Sequence, residues 1–227
     1  MHLVRLSRSL VLALVLSAGA SDPAGAAASG PIVLQRDSGS VNYLAPRELH
    51  PLPVIGHLVI QPEDYALTEL RSMASLIMPD SSVVSIGSST KVRVGAFSVA
   101  LQVSSMSISI MGGALHFSIR HPQGGRSNYL FITPTSQIAI RGTEGMIVVR
   151  PGETIVACVH GAAKDMLVTM RDGRRMHVPA GMTLMMRATG GHRLEMSMQR
   201  GVSAAEFAQF APLVAHNHAM RAKETSR

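Results

Sequence analysis

Short runs in which apolar and polar residues alternate set the narrowest limit on how this chain can fold. Met106, Ile108 and Ile110 alternate with Ser105, Ser107 and Ser109, and Leu115, Phe117 and Ile119 alternate with His116 and Ser118. A period of two places one set of side chains on one face of a strand, so each run reads as a strand with one buried face. Similar runs recur from about Tyr65 to Arg187. Turn signals separate them: Pro79-Asp80, Gly112-Gly113, Gly124-Gly125, Pro151-Gly152, Asp172-Gly173, Pro179-Ala180-Gly181 and Gly190-Gly191. Ten or so short strands with no helical pattern between them predict an all-β sandwich, barrel or rolled solenoid.

The flanks differ from this region. Residues 29–62 hold Pro31, Pro46, Pro51, Pro53 and Pro62, a density that predicts an extended arm rather than regular structure. The β domain is expected over 63–190, followed by a connecting segment and a C-terminal helix over 191–227. For that helix, Ser203 and Glu206 have capping-box spacing, and Phe207, Phe210, Ala211 and Val214 follow at helical intervals from Ala204 to about Lys223. Pro212 interrupts the pattern. Residues 1–28 have the layout of a signal peptide: Arg5 and Arg8, the apolar run Ser9 to Leu16, then small residues to Ala28. A soluble, exported, periplasmic protein is expected, with no membrane anchor once the leader is cut. Cys158 is the one cysteine, set in an alternating run, and reads as a buried, inert thiol.

Chemistry is sparse. The 14 acids fall mostly in turns, among them Asp80, Glu144, Glu153, Asp165 and Asp172, and no nucleophile elbow, phosphate loop or zinc-protease motif occurs. No catalytic residue and no cofactor is expected. His216 and His218 lie two apart on the expected helix, where they point in different directions. Met182, Met185, Met186, His192, Met196 and Met198 form a soft-ligand cluster that suits Cu(I), against the simpler reading that methionine fills an irregular core. The formal charge of +7 raises the question of an anionic partner. Nucleic acid fits poorly, since there is no Trp and aromatics are 4%. Lys164, Arg171, Arg174 and Arg175 around the Asp-Gly hairpin, and Arg120, His121 and Arg126 around Gly124-Gly125, are candidate anion-binding loops. With the methionine cluster they carry a second functional reading, an envelope-polymer or soft-metal binder.

One insert breaks an otherwise continuous apolar run: Arg141-Gly142-Thr143-Glu144-Gly145 between Ile138-Ala139-Ile140 and Met146-Ile147-Val148-Val149. This block resembles the Gly-Thr step of the FecR family of periplasmic domains. Met78 to Gly87 looks like that family's "PDGS…v.lG" opening, Ser107 to Ser118 like its "l.l..G…f.v" block, and Phe131 to Pro134 like its "f.V.TP" step. Thr154 to His160 and Val178 to Gly181 match its later strands and turn, so the resemblance spans roughly Ala66 to Met186. It implies a rolled β fold in which Arg141, Gly142 and Thr143 form a structural corner. It further implies a non-enzymatic role in recognition or envelope signal sensing, with another envelope protein, a receptor or regulator, as partner. The best-known relatives carry a cytoplasmic anti-sigma segment and a membrane helix, whereas a leader is expected here in their place.

Overall fold

The computed structural model describes residues 30–121, 125–190, 193–202 and 204–217. Among the described residues eighteen strands form: β1 (Ile32–Ser38), β2 (Val41–Leu44), β3 (Leu52–Pro53), β4 (His57–Ile60), β5 (Tyr65–Thr68), β6 (Met73–Ile77), β7 (Val83–Ile86), β8 (Lys91–Val94), β9 (Ser98–Ala100), β10 (Val103–Ser118), β11 (Arg126–Ile132), β12 (Ser136–Ile140), β13 (Glu144–Arg150), β14 (Glu153–His160), β15 (Met166–Met170), β16 (Arg175–His177), β17 (Met182–Ala188) and β18 (Leu194–Arg200).

The strands form two layers that share β10. The first runs β4-β1-β6-β7-β10-β13-β14-β17-β18. The second runs β3-β2-β5-β8-β10-β11-β12-β15-β16, with β9 beside β10 after β8. Every pairing is antiparallel except β10 with β11. β10 changes layer at Gly112-Gly113: Val103–Gly112 pairs in the second layer and Gly113–Ser118 in the first. Gly113 has φ 101, and Thr90 occupies the space a side chain would need, so only glycine turns the strand here.

The core lies between the layers. Leu115, Phe117, Ile147 and Val156 of the first meet Val92, Ile108, Phe131 and Ile138 of the second. The Phe117 and Phe131 rings stand 4.9 Å apart at a tilt of 31°, the offset geometry aromatic pairs prefer.

Residues 29–62 are not the irregular arm that their prolines predict. β1 and β2 pair within the two layers and bury Ile32, Leu34, Val41, Val54 and Ile60. The prolines punctuate short strands instead of excluding them: Pro53 ends the edge strand β3, where no ladder N–H is needed. The segment after 190 is likewise more than a connection, because β18 pairs along the length of β17. The tail begins as a 3-10 helix, Ala205–Phe210, and continues as a helix over 211–217. Pro212 lies in the first turn of that second part, where its missing N–H costs nothing. The expected leader, His192, Ser203 of the capping box, His218 and the end of the expected helix lie outside the described residues.

Candidate functional site

The insert between β12 and β13 is where the chain passes from the second layer to the first. Gly142 has φ 74, and the His121 ring sits where its side chain would be. Gly145 admits Phe117, Met166 and the Ala157 carbonyl, so a side chain there would collide with the core. The pairing slips by one residue between Glu144 and Gly145, a bulge that starts the new strand. Thr143 is buried, and its carbonyl accepts the Ile119 N–H at 3.0 Å. Its hydroxyl makes none of the local bonds threonine offers in turns: it has no partner among the described residues, and its methyl packs on Gly161.

Arg141 is exposed at this corner, next to other basic residues. Its N–H donates to the Asp165 carbonyl at 2.8 Å, which brings Lys164 beside it. His121 lies on Gly142 and bonds Ser127 at 3.2 Å through Nδ1, so Arg120 and Arg126 flank the same turn. Arg120, Arg126, Arg141 and Lys164 are exposed, and none makes an ion pair among the described residues. The nearby acids are engaged elsewhere. Asp80 accepts the Tyr129 hydroxyl at 2.8 Å and the Ser82 N–H at 2.9 Å, and Ser82 Oγ in turn accepts the Arg120 N–H at 3.0 Å. Burial, with Asp80 adding to it, pushes the Tyr129 hydroxyl far above its ordinary pKa and keeps it a neutral donor. Asp165 Oδ2 accepts the Ala162 N–H at 3.1 Å.

The sequence grouped Lys164 with Arg171, Arg174 and Arg175, and the structure separates them. Ser136 pairs with Met170 and Ile140 with Met166, so the corner and the Asp-Gly hairpin lie at opposite ends of the β12–β15 pair. At the hairpin, Arg174 Nε donates to Asp172 at 2.7 Å and its Nη2 to the Leu194 carbonyl at 2.7 Å. The guanidinium holds the Asp172 carboxyl below its usual range. Arg171 and Arg175 are exposed.

A polar pair escaped the sequence reading, which placed Glu144 among turn acids. Glu144 opens β13 fully buried, and its Oε1 lies 3.0 Å from Nε2 of buried His116 and accepts Asn217 Nδ2 at 3.1 Å. Phe210 packs over His116 with ring centroids 5.9 Å apart. The tail covers the outer face of the first layer, where Phe207 and Phe210 join Ala114, Met146, Val148, Ile155 and Ala157 in a second small core. Arg150 ties the tail down by gripping Glu206 at 2.6 Å and Glu153 at 2.7 Å, and Arg187 reaches Glu153 at 2.8 Å. Arg187, then Arg150, holds the Glu153 carboxyl below its usual range despite its burial. The signal was present in the sequence: Gly-Met-Ile-Val-Val and Ile-Val-Ala-Cys-Val are continuous apolar runs, which mark strands covered on both faces.

The methionines are core filler. Met186 is buried, Met182, Met196 and Met198 pack against the main core, and Met185 faces the small outer core. Among the described residues no three His, Cys, Asp or Glu side chains gather as a metal site. Burial pushes the Cys158 thiol up to about 11. No helix among the described residues is long and apolar enough to cross a membrane.

Residues 64–164 match the family model described as FecR protein. That span supplies the central strands of both layers, and β1–β4 and β15–β18 extend the sheets on either side. Two crystal structures of a "putative anti-sigma factor" from Parabacteroides distasonis ATCC 8503 are similar at 14% identity and a TM-score of 0.48; the match covers 60% of this chain and 59% of that one. The chain thus spans less than two thirds of the length of those proteins. No curated protein matches the sequence.

Proposed function

Residues 64–164 form a FecR domain, and from that premise we propose that this chain is a non-enzymatic recognition domain of the periplasm, engaged in signal sensing or regulation. It is exported by the leader over residues 1–28 and acts by binding another envelope protein, a receptor or a regulator. The contact surface is the basic corner. The observation that carries this reading is the set of exposed cations, Arg120, Arg126, Arg141 and Lys164, on segments that meet at the Gly-Thr corner, none of them in an ion pair among the described residues. Cations of this kind steer an acidic partner and set its orientation more than they add raw affinity.

Photo-crosslinking in intact cells tests the reading. A photoreactive residue in place of Arg141 is expected to yield one discrete envelope-protein adduct that is lost at high salt. The same residue in place of Arg171 is expected to yield none. Adducts of equal yield at both positions would remove the corner as the contact surface. Recovery of the chain in the cytoplasmic fraction would remove the periplasmic placement.

A further inference from the structure

Among the described residues five strands lie at sheet edges: β4 and β18 in the first layer, β3, β16 and β9 in the second. Natural sheets blunt such edges with short strands, proline, bulges or charges, because an open row of N–H and C=O groups recruits another strand. Four of the edges are short. β3 has two residues and ends in Pro53, β16 has three and runs into Pro179, β9 has three, and β4 has four. β18 is the exception in length: it has seven residues, no proline and no bulge along its pairing with β17, and its charges, Glu195 and Arg200, lie toward its ends.

The register shows which groups of β18 face outward. Met182 pairs with Arg200, the Gly201 N–H bonds the Gly181 carbonyl at 2.8 Å, and the Thr189 N–H bonds the Arg193 carbonyl at 3.2 Å. In an antiparallel ladder bonded and non-bonded pairs alternate, so the odd-numbered residues spend their backbone groups on β17. The N–H and C=O of Met196 and Met198 therefore point to the open edge. So does the Leu194 carbonyl, which Arg174 already occupies at 2.7 Å.

We propose that this edge joins two copies of the chain, β18 against β18, antiparallel with Ser197 on the two-fold axis. The sequence argues for a second copy rather than a foreign strand. Glu195-Met196-Ser197-Met198-Gln199 is nearly palindromic about Ser197, and a two-fold interface requires such self-complementarity. In this register Met196 faces the copy's Met198 and Met198 its Met196, each pair exchanging two backbone bonds through the groups left open. Glu195 faces Gln199, so no like charges oppose one another across the seam. Leu194, Met196 and Met198, half-buried against the main core, meet the same residues of the copy on one face. Flexible thioethers adapt to such a contact. Arg174 keeps its hold on Leu194 at each end.

Sedimentation equilibrium of the exported full-length chain is the first test, and a reversible dimer is expected. Met198→Pro removes one outward N–H and leaves the bonds to β17 intact; Ser197→Lys places two like charges on the axis. Each is expected to weaken the dimer by about tenfold or more while leaving the circular dichroism spectrum unchanged. Ser197→Cys checks the register. It lies at a close, non-bonded pair on the axis, and the native Cys158 is buried, so oxidation is expected to give a covalent dimer. Glu195→Cys, opposite Gln199, is expected to stay monomeric on reducing-free gels. A wild-type chain that remains monomeric at all concentrations would overturn the proposal. So would crosslinking through Glu195→Cys in preference to Ser197→Cys. The proposal stands or falls independently of the basic corner.

Discussion

The two ends of the β12–β15 pair carry similar residues and commit their carboxylates differently. Both ends are turns with arginines and a glycine of positive φ, Gly142 at 74 and Gly173 at 85. At the hairpin one of the three arginines is answered locally, since Asp172 holds Arg174 at 2.7 Å. At the corner the acids are spent on the fold: Asp80 on Tyr129, Asp165 on its own turn and Glu144 on His116. A count of basic residues treats these ends alike. What separates them is where the carboxylates are committed, which is a property of packing.

The glycines offer the largest contrast. Gly142→Ala is expected to destabilise by about 2–4 kcal/mol, from left-handed backbone strain and displacement of the His121 ring. Gly173→Ala has open space around it and is expected to cost only about 1 kcal/mol of strain. Chemical denaturation of both variants compares them, and equal losses would break the distinction. Asp80→Ala is expected to cost about 1–3 kcal/mol, because the buried Tyr129 hydroxyl loses its acceptor. A neutral outcome would mean that Asp80 is not committed to the fold.

Smaller effects sharpen the picture. Ser81 stands at φ 64 in the turn that resembles the family's Pro-Asp-Gly-Ser block, at the position of its glycine. Ser81→Gly is therefore expected to stabilise by about 0.5–1 kcal/mol, read as a raised Tm. At the hairpin, the Asp172 carboxyl is depressed by Arg174, so its ion pair is present above the ordinary carboxylate pKa and is lost as pH falls through the lower folded value. An NMR titration is expected to show Asp172 protonating later on acidification than an ordinary aspartate. Arg174→Ala should return it upward with almost no change in stability, as befits an exposed pair.

Much of the β fold was legible because alternation survives in most runs whatever the topology: β10, β11 and β12 read directly from their patterns. The corner at Gly142-Thr143 was legible as an interruption that glycine alone explains. The strands of residues 30–62 were not, because proline density averages over a segment while strand pairing is decided residue by residue, as Leu34 opposite Leu76 shows. Nor could the grouping of charges be read. Lys164 and Arg171 are seven positions apart, yet they flank β15 and lie at opposite ends of the β12–β15 pair. The buried His116–Glu144 pair depended on a tail more than sixty positions away folding over it, a contact with no local signature.

The most direct test compares charge reversal at the two ends in one assay. Glutamate replaces Arg126, Arg141 and Lys164 in one full-length variant, and Arg171 and Arg175 in another. Crosslinked capture of the proposed envelope partner is then measured against salt. The account predicts that the corner variant loses the partner, and that the hairpin variant keeps both the partner and its salt dependence. Loss with the hairpin variant, or retention with the corner variant, would contradict it.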